Sequence, residues 1–377
     1  MMSSKPGEIL YGNYQVEAWL GRGTFSEAYQ VTNPSITGFR TLKVLRSDIP
    51  GLGSDGEESF FQRFQYEYRL MQILDPSGRH PNLIQVYEVQ RASGLLALER
   101  EYAPGGSLAG VMAQARASGK SVSMLWSIKM ALEVADALSI LHTHGVVHSN
   151  LKPRNILFSV FHEVKLSDLY LAQSSSTQTG LATPKSPVPF SGPIGYQSPE
   201  QEHQRHKLEP PSDIYSLGMI FFELLTGTNY TVVQPGLPPS TLRVELPEWL
   251  DELVAHMLSP APSDRPYDGA VLAALLRAGL DHIDRDNLPE TEDEVFQIRD
   301  FKPQEHLKVA YDPQEQHGSN VSVALSSSDV SSQANLSFWE QMVNLLKLLV
   351  TNPATAILGA IMLIILIWVV IEVFFIR

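Results

Sequence analysis

Within residues 146–157, VVHSNLKPRNIL, a histidine, an ammonium and two amides fall close together as His148, Lys152, Asn150 and Asn155. The stretch has the makings of a phosphoryl-transfer loop, chemistry in which a protein contributes mostly positioning and charge neutralisation. Asn150 sets an amide, not a carboxylate, in the middle of the stretch. Its amide oxygen accepts a hydrogen bond but takes no proton at neutral pH. A second constellation is the pair Gly21 and Gly23 in GRGTFSEAY. Without a Cβ, glycines let backbone N–H groups approach a phosphate closely, although a plain turn explains two glycines equally well. A third is Lys43, alone inside the apolar run TLKVL. A buried ammonium needs a partner, and Glu67 in FFQRFQYEYRLMQIL is a candidate, on the inward face marked by Phe64, Met71 and Leu74.

These groups need a folded frame, and residues 14–280 alternate strand-like and helix-like patterns with short turns. GRGTFSEAY fits a strand-turn-strand. Residues 126–142, WSIKMALEVADALSILH, carry apolar positions at helical spacing, and residues 163–172, EVKLSDLYLA, read as strand. With 377 residues, 44% of them hydrophobic, the chain can build one large domain or two smaller ones plus accessory segments. A net charge of −13 argues against a nucleic-acid partner, which calls for clustered lysine and arginine. The absence of cysteine excludes disulfides, zinc–thiolate sites and cysteine nucleophiles. No repeat of solenoid period is present.

Beyond the domain the composition changes. Residues 281–335, containing DRDNLPETEDE and a serine-rich stretch, read as an acidic, flexible linker. Residues 336–352, containing FWEQMVNLLKLLV, read as an amphipathic juxtamembrane segment with Phe338 and Trp339 at the bilayer interface; a linker helix docked on the domain fits as well. Residues 354–376 open with eighteen uncharged residues, ATAILGAIMLIILIWVVI, and are expected to form one transmembrane helix across a core of about 30 Å. The N-terminus lacks a secretory h-region, so the domain is expected on the cytoplasmic side of a single-pass anchor. The flanking charges Lys347 and Arg377 give only a weak orientation bias.

Taken with Val164-Lys165-Leu166-Ser167-Asp168-Leu169-Tyr170, the order of these motifs resembles the eukaryotic-type protein kinase family, in particular bacterial membrane-anchored serine/threonine kinases. Ser198-Pro199-Glu200 resembles the end of an activation segment, Asp213 in SDIYSLGMIFFELLTG matches the aspartate that steadies the catalytic loop, and Arg265 is the expected partner of Glu200. The resemblance implies an α+β, bilobal fold with a small β-rich N-lobe and a larger helical C-lobe, using ATP and Mg2+. It implies Gly21 and Gly23 over the phosphates, Lys43 with Glu67, and Ala28 and Thr41 sandwiching the adenine above Leu157. It further places Glu101 in the hinge 98–102, Lys152 on the γ-phosphate, Asn155 and Asp168 on the metal, and Asn150 at the base position.

Departures from the family pattern are as informative as matches. Ser149 replaces the arginine that would grip a phosphorylated activation segment, Ser26 replaces the third glycine of the phosphate loop, and Tyr170 replaces a glycine. Arg100 falls at the gatekeeper position, where a guanidinium either captures Glu67 or Asp168 or turns out to solvent. A general base is worth about 10²- to 10⁴-fold, so its loss slows phosphoryl transfer without forbidding it. The expectation is an ATP- and magnesium-binding pseudokinase that recruits or regulates a protein partner at a lipid bilayer. The alternatives are a slow serine/threonine kinase and a nucleotide-independent scaffold.

Overall fold

In a computed structural model of the chain the described residues are 6–49, 53–92, 95–174, 179–184, 195–202, 208–283, 295–296, 298 and 301–303. The expected segments 336–352 and 354–376 lie outside them. Among the described residues no helix is long and apolar enough to cross a membrane.

Period-two alternation decides what the N-terminal sheet presents to each side. Six antiparallel strands lie in the order β1-β2-β3-β4-β6-β5: β1 Ile9–Leu10, β2 Tyr14–Arg22, β3 Ser26–Thr32, β4 Arg40–Leu45, β5 Val86–Ala92 and β6 Leu95–Glu101. Leu42 and Val44 of β4 join Tyr14, Val16, Tyr29, Val31 and Ala97 in a small core on one face. Thr41, Lys43 and Leu45 therefore point the other way, toward helix α1 (Gly53–Leu74) and the main core. In β6 the same rule sets Leu96, Leu98 and Arg100 on that second face, with Lys43 opposite Leu98 and Thr41 opposite Arg100 in register. On α1 the buried residues Phe60, Phe64, Glu67, Met71 and Leu74 recur at steps of four and three, one stripe of an amphipathic helix. Glu67 sits in the middle of that apolar stripe.

The second lobe is helical. Helix α2 (Leu108–Ser118) is capped by Ser107 and ends at Gly119 in the left-handed region, φ 68°. Strand β7 (Ser121–Val122) leads into α3 (Met124–Thr143), which begins before the expected residue 126 because Ser123 caps it. After β8 (Val146–Val147) come the hairpin β9 (Ile156–Phe158) and β10 (Val164–Leu166), then β11 (Gln173–Ser174) on β8. The stretch expected as one strand over 163–172 breaks after Leu166. Asp168 adopts φ 72° and starts a 3-10 turn over Leu169–Leu171. Helices α4 (Pro199–Glu202), α5 (Pro210–Thr226), α6 (Glu248–Met257) and α7 (Gly269–Asp281) complete the lobe. At Gly269 the first turn of α7 presses on α3, where a Cβ would meet Ala135 O and Ser139 N at 2.4 Å each.

Part of the stretch read as a free linker is folded. Val295–Phe296 forms β12, parallel to β7. Phe301 is buried, and Gln114 bonds both the Lys302 carbonyl (2.8 Å) and its N–H (3.1 Å). After the acidic run 281–294, the apolar residues Val295, Phe296 and Phe301 suffice to strap the chain against β7 and α2.

Arg265 and Glu200 meet as expected, in a fork–fork pair at 2.7 and 3.0 Å whose guanidinium is fully buried. Burial opposes ionisation of Glu200, yet Arg265 and the Ser212 hydroxyl hold its carboxyl down to about 2. The pair's contribution is thus present above the ordinary carboxylate range and lost as pH falls toward about 2. Arg265→Ala is expected to lower the unfolding free energy by about 3–5 kcal/mol, read by chemical denaturation, because it strands a buried carboxylate. A loss under about 1 kcal/mol would contradict this.

Candidate phosphoryl-transfer site

The loop between β8 and β9 is held from beneath by α5. Asp213 accepts the backbone N–H of His148 at 2.7 Å and of Ser149 at 2.9 Å, as expected of the residue that steadies this loop. His142 was not foreseen. Its Nδ1 accepts the Gly269 N–H (3.0 Å), so its Nε2 carries the proton and donates to Asp213 (3.1 Å). Only the fold brings α3, α5 and α7 together there. Fixing the loop from below lets Ser149 hold φ 64°, an uncommon backbone for serine. His148 Nδ1 accepts the Asn150 N–H at 3.2 Å, and its Nε2 donates to Ser167 O at 3.0 Å. Burial depresses its pKa, in keeping with a neutral ring.

Lys43, Asp168 and Arg100 form the centre of the site. Asp168 Oδ1 accepts from Lys43 Nζ and from Arg100 Nη1, both at 2.8 Å. Burial favours the protonated carboxyl of Asp168, but the charges of Lys43 and Arg100 outweigh it and hold the pKa below the usual range. Arg100 thus captures Asp168 and does not turn out to solvent; the residue is 8% exposed and its Nε–H lacks a partner among the described residues. Lys152, half-buried, stands within electrostatic reach of Asp168 and Lys43, and burial lowers its pKa.

The expected pairing of Lys43 with Glu67 is absent. Glu67 Oε1 instead accepts the Leu169 N–H at 3.0 Å, and Oε2 is buried with no partner among the described residues. The reason is competition: Asp168, turned by its left-handed backbone, takes the ammonium, and the Tyr170 ring covers that ammonium with its centroid 4.5 Å from Nζ. Tyr170 is buried, with its hydroxyl beside the Asn150 amide. The tyrosine that replaces a glycine of the family pattern therefore touches both Lys43 and the base position.

The other candidate residues take the places expected of them to different degrees. Gly21, at φ 150°, lies at a register shift between β2 and β3, while the Gly23 N–H is spent on the Ser26 carbonyl at 2.7 Å. Thr41 is buried, Ala28 and Leu157 are half-buried, and the Glu101 carboxylate faces Lys165 (3.1 Å) and the Gln85 N–H (3.1 Å). Asn155 donates Nδ2 to Asn150 O at 2.7 Å, which leaves its amide oxygen as the atom able to coordinate.

A magnesium ion at Asn155 and Asp168 does not fit this arrangement. Magnesium asks for oxygen ligands in near-octahedral order, with one or two carboxylates among them. Here Asp168 Oδ1 already serves two cations, Lys43 and Arg100, which compete with a metal ion for that carboxylate.

Burial is the leading cause that raises the Glu67 pKa, followed by Lys43, which opposes it, and Asp168, which adds to it. A carboxyl whose folded pKa exceeds its unfolded value binds its proton more tightly when folded, so stability declines as pH rises past the unfolded value. Glu67→Gln is expected to remove that decline. Melting temperatures of wild type and variant should converge at acid pH and separate toward neutral pH in the variant's favour; parallel profiles would contradict it.

The model of the protein kinase domain matches residues 14–270. The chain is 29% identical over 299 residues to serine/threonine-protein kinase PknA of Mycobacterium tuberculosis, covering 74% of this chain and 64% of that protein. It is 28% identical over 294 residues to serine/threonine-protein kinase pkn3 of Myxococcus xanthus, covering 72% and 51%. A probable serine/threonine-protein kinase of Clostridium perfringens, CPE1738, is 26% identical over 271 residues, covering 69% and 37%. The chain thus spans 37 to 64% of the length of these curated relatives. Among solved structures, the M. tuberculosis PknI kinase domain superposes with a TM-score of 0.55 at 22% identity, covering 74% of this chain and 99% of that one, a likeness of fold. Protein kinases as a family use ATP and magnesium. With its bilobal architecture, its Asp213-braced loop and its Glu200–Arg265 pair, this chain belongs to the protein kinase domain family, of the Hanks-type serine/threonine kind.

Proposed function

We propose that the chain is a nucleotide-binding pseudokinase that relays its nucleotide state to a protein partner, anchored at a membrane through residues 354–376. The observation that carries this reading is the coexistence of retained phosphate-side cations with a lost base. Lys43 and Lys152 converge on the cleft, while the base position holds Asn150, which takes no proton. Three cationic side chains, Lys43, Arg100 and Lys152, face Asp168, and burial disposes Glu67 toward its neutral form. Such an excess of buried positive charge favours a polyanionic ligand. Thr41, Ala28 and Leu157 remain available for the purine, and Gly21 for the backbone over the phosphates. The eighteen uncharged residues from Ala354 support the anchor, and the net charge of −13 disfavours nucleic acid.

A second reading has its own support. The Arg100–Asp168 pair is the contact expected of a scaffold that has closed its pocket from within and displays only surfaces. Nucleotide binding and autophosphorylation on the full-length chain, with Lys43→Met as blank, separate the two. Binding without phosphate incorporation is expected. No binding favours the scaffold, and incorporation that vanishes in the blank identifies a slow kinase instead. Restoring the base by Asn150→Asp is expected to gain less than about tenfold, because Arg100 and Tyr170 still occupy the site. A gain in the 10²- to 10⁴-fold range of a general base would overturn the pseudokinase reading.

A further inference from the structure

We propose that the Arg100 guanidinium takes the place of a divalent cation at Asp168, so that the cleft accepts a nucleoside di- or triphosphate as the metal-free polyanion. This rests on the nucleotide-binding reading above and specifies the ionic form of the ligand. A metal ion at this position has two tasks: to neutralise the aspartate and to present positive charge to the phosphates. Arg100 performs the first directly, at 2.8 Å from Asp168 Oδ1. For the second it is a planar fork of five N–H donors that stays charged and matches phosphate geometry.

The donor bookkeeping points the same way. Arg100 is 8% exposed, yet its Nε–H has no partner among the described residues. A buried charged donor left unmatched is unfavourable, and an acceptor-rich ligand such as a phosphate satisfies it where a metal ion cannot. Position supports the assignment too. Arg100 pairs in register with Thr41, the residue expected on the adenine, and lies one step diagonally from Lys43 opposite Leu98. The guanidinium therefore reaches Asp168 from β6 while Lys43 reaches it from the neighbouring β4. A divalent ion entering there would meet both cations and the nearby Lys152. A free di- or triphosphate meets three attractive charges.

Calorimetric titration of the full-length chain with ATP and ADP tests this, in EDTA and again in millimolar magnesium, for wild type and Arg100→Leu. Wild-type affinity is expected to be equal or higher in EDTA. Arg100→Leu should lose metal-free binding at least tenfold and recover affinity when magnesium is added. Magnesium alone should leave the wild-type melting temperature unmoved and raise that of the variant. Wild-type binding that requires magnesium by tenfold or more overturns the inference and leaves the nucleotide-binding reading standing. Unchanged metal-free binding in Arg100→Leu removes Arg100 from the role. Absence of binding in both buffers removes the nucleotide reading and the inference together. Should Arg100→Leu fail to fold, the wild-type comparison of the two buffers decides alone, with Arg100→Lys as the conservative variant.

Discussion

Two like charges placed on one face of a buried sheet impose the constraint on which the cleft depends. Lys43 on β4 and Arg100 on β6 are diagonal neighbours across an antiparallel pair, both directed away from the small outer core. Neither can be solvated by water where it sits, so each requires a carboxylate. Unit charges about 4 Å apart interact by about 4 kcal/mol at an effective dielectric near 20. One carboxylate between two cations thus gains two such attractions against a weaker repulsion across the wider gap. Asp168, swung into the cleft by its left-handed backbone at φ 72°, is that carboxylate.

Much of the remaining geometry follows from this capture. With Lys43 drawn to Asp168, Glu67 is left on the apolar stripe of α1 with one oxygen on the Leu169 N–H and one unmatched. Tyr170 closes over the ammonium and brings its hydroxyl to Asn150. The four unusual residues at the centre, Arg100, Asn150, Asp168 in its αL backbone and Tyr170, are thus mutually adjusted. A proton acceptor at 150 would add a negative charge beside a tyrosine that burial already keeps from ionising. The frame beneath them follows the family pattern. Asp213 and His142 hold the loop, and Arg265 grips Glu200.

Local pattern made the alternation of strands and helices and the stripes of α1 and α3 legible, and the family resemblance supplied the bilobal frame. The resemblance also supplies the Glu200–Arg265 and Asp213 contacts and the gatekeeper place of Arg100, whereas the β4–β6 register that sets Lys43 and Arg100 on one face comes from the fold. What the pattern does not contain is the choice of partner. Glu67 and Asp168 are both carboxylates within reach of Lys43, and which one wins depends on the αL backbone at Asp168, a tertiary outcome with no local signature. His142 was equally hidden: a histidine late in an apolar helix is read as core until α5 and α7 are in place around it. The strap formed by Val295, Phe296 and Phe301 has no periodic signature of its own, being three apolar residues after a strongly acidic run.

The central claim is that Arg100 and Asp168 are energetically one unit. A double-mutant cycle with Arg100→Leu and Asp168→Asn, read as unfolding free energy of the full-length chain, measures it most directly. The account predicts a coupling of about 1–3 kcal/mol, the double variant being less destabilised than the sum of the singles. Additivity within about 0.5 kcal/mol would contradict it and return the arginine to an incidental place in the strand.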